Sequence, residues 1–179
     1  MVTHDFARPS VPHAEVRVDL DAIRANVAEL AVRAGGADVM AVVKADAYGH
    51  GLVPVARAAL EAGASWLGTA VLTEALALRA AGVTARVLAW LCAPGERWSD
   101  AVAADVDVSA SAPWAVGEIA AAARETGRVA RVHLKVDSGL GRSGAPRQAW
   151  AGLVDEALKA QAEGVLEVVG LWSHLAFAD

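Results

Sequence analysis

The feature that most constrains this chain is a six-fold alternation between short apolar, β-branched runs and longer stretches of helical periodicity. The runs 39–43, 66–70, 86–90, 106–108, 132–136 and 168–172 read as buried strands, because they are short and largely apolar on both faces. Helices with recognisable ends lie between them. Asp19 is placed to cap a helix whose apolar face is Leu20, Ile23, Val27 and Leu30, with Gly35 and Gly36 as the stop. Pro146 opens another, with a stripe of Ala149, Trp150, Leu153, Val154, Ala157 and Leu158 before Gly164. Ser111 and Gly127 bracket a third. Strand–helix alternation predicts an α/β fold with a parallel sheet, either doubly wound or closed into an eight-stranded barrel. Six βα units are too few to close a barrel. The sequence stops at Asp179, directly after the sixth strand, so a fragment of a longer protein is expected. A strand-like stretch at 15–18 has no obvious partner and is expected to pair outside these residues.

Composition narrows the function classes. With 16 basic against 21 acidic side chains, a net charge of −5 and no basic cluster, a nucleic-acid surface is not expected. A 55% hydrophobic content excludes a disordered chain. Cys92 is the single cysteine, which excludes an internal disulfide framework and a multi-cysteine zinc site. Residues 1–13 mix charges with two prolines, lack the apolar core of a secretory signal and read as a flexible tail. No apolar run approaches the ~20 residues of a membrane span. These observations together predict a cytoplasmic protein. Tryptophans 66, 90, 114, 150 and 172 fall on apolar faces and are expected in the core.

In parallel α/β architectures, reactive groups gather at the carboxyl ends of strands. The first strand ends in Ala41-Val42-Val43-Lys44-Ala45-Asp46-Ala47-Tyr48-Gly49-His50-Gly51. A lysine leaving an apolar wall is partly desolvated, which frees its amine for Schiff-base chemistry. Taken alone, the segment is more often a surface lysine at a strand end. The fifth strand ends in Lys135-Val136-Asp137-Ser138-Gly139-Leu140-Gly141-Arg142-Ser143-Gly144. Its glycines would let backbone approach a ligand, and Arg142 offers a planar fork to a carboxylate or phenolate oxygen. Strand alternation puts Lys135 and Asp137 on one side. A salt-bridged pair and an ordinary glycine turn explain the segment equally well. The glycine spacing matches a dinucleotide fingerprint, but Arg142 interrupts it and no acidic ribose partner follows. The sixth strand delivers His174. No histidine spacing indicates a metal site.

Together the lysine segment, the run from Leu134 to Arg142 and Gly170-Leu171-Trp172-Ser173-His174-Leu175-Ala176 resemble three motifs of bacterial alanine racemases, in the same order. The resemblance implies an N-terminal (β/α)8 TIM-type barrel spanning 14–179, here incomplete at about six units and without the family's C-terminal β domain. It implies pyridoxal 5'-phosphate as cofactor, with Lys44 condensing with its aldehyde and serving as one catalytic base. Tyr48 would touch the phosphate, Arg142 the phenolic oxygen and the substrate carboxylate, and His174 the pyridine ring. Leu88 and Trp90 would stand near the ring's apolar side. Lys135 matches a position that is carbamylated in many members. The implied reaction is interconversion of L-alanine and D-alanine by a homodimer, supplying D-alanine for peptidoglycan. The family's second base is a tyrosine from the partner's C-terminal domain, whereas this chain's one tyrosine is Tyr48. The 179 residues alone are therefore expected to have little activity. A racemase for another small amino acid, a decarboxylase sharing the barrel and lysine, and a non-catalytic cofactor-binding fragment are the alternatives.

Overall fold

A computed structural model describes residues 14–176, and the tail expected over 1–13 lies outside them. In chain order the elements are α1 (Leu20–Arg33), β1 (Met40–Val42), α2 (Lys44–Gly49), α3 (Leu52–Glu61), β2 (Trp66–Thr69), α4 (Leu72–Ala80) and β3 (Arg86–Ala89), then α5 (Trp98–Ala103), β4 (Asp107–Ala110), α6 (Pro113–Thr126), β5 (Ala130–Lys135), α7 (Arg147–Ala162) and β6 (Leu166–Trp172). The strands form one parallel sheet in the order β1-β2-β3-β4-β5-β6. A doubly wound sheet reverses its order at a switch point; this one never does, so it forms six consecutive staves of an incomplete α/β barrel.

All six anticipated strands are present, but three extend past their anticipated ends. β4 runs on to Ala110, β5 begins at Ala130 and β6 at Leu166. The polar residues Asp107, Ser109, Arg131 and Glu167 break up the apolar runs and hide those ends, because every second residue of a barrel strand faces the interior. The opposite face carries Leu67, Val87, Val108, Val132, Leu134 and Leu166, all buried with helix residues such as Ala56, Ala59, Leu78, Val116, Ile119 and Leu153 in one core. Alanine on the helices lets them approach the sheet closely.

The stretch 15–18 finds no strand partner among the described residues; Val16 is 91% exposed, and Glu15 and Arg17 pair with each other. Other sequence expectations need correction. Asp19 does cap α1, accepting the N–H groups of Asp21 and Ala22 at 2.9 and 3.0 Å. However, α1 buries no residue fully and Leu30 is exposed. In α7, Leu158 is exposed and Ala160 takes its place in the core. Of the tryptophans expected in the core, 66, 90, 150 and 172 are half-buried and Trp114 is exposed. The buried one is Trp98, whose indole N–H donates to Glu118 at 2.7 Å.

At the amino ends of the strands the barrel interior is ionic. Asp107, fully buried, accepts from Arg86 at 2.7 Å, from Arg131 at 2.6 Å and from His133 Nε2 at 3.1 Å. Burial by itself raises the Asp107 carboxyl, but the hydrogen bonds of His133 and Arg131 and the charges of both arginines outweigh it and hold the group below its ordinary range. Among the described residues, no buried side-chain polar atom lacks a partner.

Candidate functional site

The opposite, carboxyl end of the sheet holds a cavity of about 450 Å³ walled by Val42, Leu88, Trp90 and Trp172. Lys44, Tyr48, Lys135, Arg142 and His174 all line it, so the residues singled out in the sequence converge from three strand ends, with Leu88 and Trp90 from a fourth. Apolar walls with a few convergent polar groups are the usual form of a small-molecule site.

Lys44 follows the last rung of β1, where the Val43 N–H donates to Gly68 at 2.8 Å. From there the chain makes a single left-handed turn: Ala45, Asp46, Ala47 and Tyr48 all have φ between 51° and 57°. For L-residues that conformation costs roughly 1–2 kcal/mol each, so four in succession persist only where surrounding contacts enforce them. Ala47 is buried and its N–H donates to Val43. The Asp46 carboxylate accepts the Leu52 N–H at 2.6 Å, and the Gly51 N–H donates to the Asp46 carbonyl at 2.9 Å. His50 Nδ1 donates to the carbonyls of Ala47 and Tyr48 at 2.9 and 3.1 Å, so His50 holds the turn. The turn leaves Lys44 half-buried, with its Nζ 5.7 Å from the centre of the exposed Tyr48 ring.

Lys135, at the end of β5, is 3% exposed. Its ammonium donates to Ser143 Oγ at 2.8 Å and lies 4.5 Å from the centre of the Trp172 ring. Burial, and then the charge of Arg142, push its pKa down, against a smaller opposing effect of Asp137. Asp137 does not share the cavity as strand alternation predicted. β5 stops at Lys135, and the Asp137 carboxylate turns back to accept the N–H groups of Gly139 and Gly141 at 2.9 and 3.0 Å. The glycine segment closes on itself: Ala145 donates to Lys135 and Asp137 to Ala145, both at 2.9 Å. A Cβ on Gly144 would lie 2.7 Å from the Asp137 backbone nitrogen, so that glycine serves loop closure and not ligand approach.

The closed loop presents Arg142, whose guanidinium Nη2 donates to His174 Nε2 at 3.2 Å. A guanidinium has no acceptor, so this contact requires the neutral imidazole tautomer with its proton on Nδ1. Trp172 is held by its indole N–H to Ser109 at 2.9 Å and tilts against Trp90 with ring centroids 6.1 Å apart. Sequence reasoning missed Trp172, Ser143, Met40, Ala70, Leu91 and His133 among the lining residues. His133 was within reach, since it stands two residues before Lys135 on one strand. Trp172 was treated only as core, and nothing local marks Ser143.

The residues suit pyridoxal phosphate: a primary amine, a guanidinium and an imidazole meet in a cavity with flat apolar walls. Comparisons with known proteins show which family the chain resembles. Residues 18–179 match the family described as alanine racemase, N-terminal domain. An alanine racemase of Frankia casuarinae is 65% identical over 162 residues, covering 90% of this chain and 42% of that protein. The crystal structure of alanine racemase from D-cycloserine-producing Streptomyces lavendulae superposes with a TM-score of 0.89 at 57% identity, over 90% of this chain and 42% of that one. Histidine racemase from Leuconostoc mesenteroides superposes at 0.81 with 28% identity, over 89% and 42% of the two chains. The chain thus spans less than half the length of the relatives it matches.

Proposed function

This chain belongs to the alanine racemase N-terminal domain family, and from that premise we propose that it carries the lysine-bearing half of a pyridoxal-phosphate-dependent racemisation of alanine. The carrying observation is the convergence of Lys44, Arg142 and His174 on one apolar-walled cavity. When bound, the cofactor supplies an electron sink for the α-carbanion, which leaves the protein to bind, orient and move protons. Lys44 would hold the cofactor at its aldehyde, and its amine would exchange a proton with one face of the substrate α-carbon. A positioned base of this kind typically contributes ~10²- to 10⁴-fold. Tyr48, beside Lys44, would hold the phosphate. Arg142, already oriented by His174, would direct its remaining N–H groups at the phenolic oxygen and the substrate carboxylate. His174 would pack against the ring, and Leu88 and Trp90 would cover its apolar side and exclude water.

Lys135 is a candidate for carbamylation. The reaction requires a neutral amine, whose lone pair forms the N–C bond to carbon dioxide with loss of one proton, and burial of Lys135 favours that form. The product anion would lie beside Arg142 and hold it. By the same reading a full-length racemase carrying this half interconverts L- and D-alanine as a cytoplasmic homodimer and supplies D-alanine for peptidoglycan. Among the described residues no helix is long and apolar enough to cross a membrane. A racemase for another amino acid is the second reading, favoured by the histidine racemase that shares this fold.

The test uses the chain's three lysines, Lys44, Lys135 and Lys159. Borohydride reduction with added pyridoxal phosphate, followed by peptide mapping, is expected to label Lys44, and Lys44→Ala to abolish the label. Label on either of the other lysines in its place overturns the assignment. Turnover of alanine by these 179 residues alone is expected to be negligible, and measurable cofactor-dependent turnover contradicts that expectation.

A further inference from the structure

Glu74, in the first turn of α4, has a carboxylate that serves two strand ends at once. Its Oε2 accepts the N–H groups of Ala70 and Val71 at 3.0 and 3.2 Å, the ordinary service of an acidic residue to its own helix start. Its Oε1 reaches 29 residues back along the sequence and accepts the N–H of Ala45, the residue after Lys44, at 2.6 Å. A helix cap needs only one of these oxygens. The second stands where the β1–β2 ladder has run out: Val43 to Gly68 is the last backbone rung, and the next N–H on that side falls to the carboxylate. Ala45 is also the first of the four left-handed residues. The bond therefore sits at the point where the chain turns out of the strand and sets the direction in which Lys44 leaves it.

We propose that Glu74 is the positioning residue of Lys44: its carboxylate locks the left-handed turn to the end of β2 and so fixes the amine at the rim of the cavity. The same carboxylate ties in Ala70, which lines that cavity and whose carbonyl accepts the N–H of Leu91, another lining residue. One charged group thus joins the lysine turn to two neighbouring staves. A neutral amide cannot replace it. Glutamine keeps one acceptor oxygen and puts an NH₂ donor against either the Ala45 N–H or the Ala70 and Val71 pair.

The inference rests on the reading of Lys44 given above, and the experiment separates the two. Amide hydrogen exchange at Ala45, followed without cofactor, and borohydride labelling of Lys44 with pyridoxal phosphate are measured on the wild-type chain, Glu74→Gln and Asp19→Ala. The last variant removes a cap from a helix remote from the site. Exchange at Ala45 is expected to accelerate about tenfold or more in Glu74→Gln, the factor a lost hydrogen bond to a charged group is worth. The pyridoxal phosphate concentration for half-labelling is expected to rise by a similar factor, while Asp19→Ala labels like wild type. Unchanged protection of Ala45, unchanged labelling in Glu74→Gln, or equal loss in Asp19→Ala overturns the inference. If wild type takes no label at Lys44, the reading of function fails, and Ala45 exchange alone decides the role of Glu74. If Glu74→Gln does not fold, the wild-type chain decides: exchange at Ala45 as fast as in an unstructured peptide overturns the inference.

Discussion

Asp107 shows how much a single side chain holds in this half-barrel. It is fully buried, and three positively charged or proton-donating partners converge on its two oxygens. Breaking a buried pair from one side typically costs 3–5 kcal/mol. Arg86 and Arg131 keep 41% and 25% of their side-chain exposure and can rehydrate, so Asp107→Asn is expected to cost about 3 kcal/mol, the lower end, in urea unfolding at neutral pH. The pH dependence follows from its lowered pKa. The folded state binds the proton less readily than the unfolded chain, whose group titrates near 3.8, so the stabilisation is complete above that value and disappears as pH falls through the lower folded pKa. The gap between wild type and Asp107→Asn should therefore narrow below about pH 3.8, and a gap that stays constant into strong acid would contradict it. Lys135 has the same slope with pH, but here a penalty on the buried charged form is relieved where Asp107 loses a gain. Its lowered pKa means that the unfolded chain binds more protons between the folded value and 10.5, so its contribution becomes more favourable as pH rises through that window. Nothing local to Asp107 in the sequence distinguishes it from a surface aspartate; the three partners lie 21 to 26 residues away.

Among the elements, α2 is the one whose handedness sequence patterns could not supply. Lys-Ala-Asp-Ala-Tyr-Gly has alanines that favour a right-handed helix, yet the turn is left-handed. Local hydrogen bonds of Asp46 and His50 and the long-range one from Glu74 together override that preference. The consequence is testable at the exposed Ala45. In a right-handed helix Ala→Gly costs about 1 kcal/mol, whereas in the left-handed region it removes a penalty of about 1–2 kcal/mol and adds up to about 1 kcal/mol of unfolded-state entropy. Ala45→Gly is therefore expected to be neutral or stabilising by up to about 1 kcal/mol in denaturant unfolding, and a loss of 1 kcal/mol would refute a left-handed turn. Elsewhere the elements were legible where punctuation was strong: Asp19 opens α1, and Gly127, at φ 65°, ends α6. In β6, Gly170 answers a tertiary demand, since a Cβ there would lie 2.4 Å from His133 Nδ1.

For the whole molecule, an incomplete barrel has two edges. Among the described residues β1 pairs only with β2 and β6 only with β5, and Val42 and Leu171 are 41% and 66% exposed. Unpaired parallel edges flanked by apolar side chains invite association. Light scattering on these 179 residues is expected to show species larger than a monomer, growing with concentration, and a sharp monomer at all concentrations would contradict this. The linear arrangement of six strand–helix units, the strand ends that carry Lys44, Lys135 and His174, and the family resemblance were all readable from residue order, because periodicity and short motifs are local properties of a chain. Which side chains face one another was not. That Arg142 meets His174, that Lys135 is sealed against Trp172 and Ser143, that Asp137 turns away, and that Glu74 reaches the lysine turn were decided by curvature of the sheet and closure of the loops. Those contacts join residues 8 to 37 positions apart or set one local bond against another, and only packing in three dimensions determines which of the competing pairings forms.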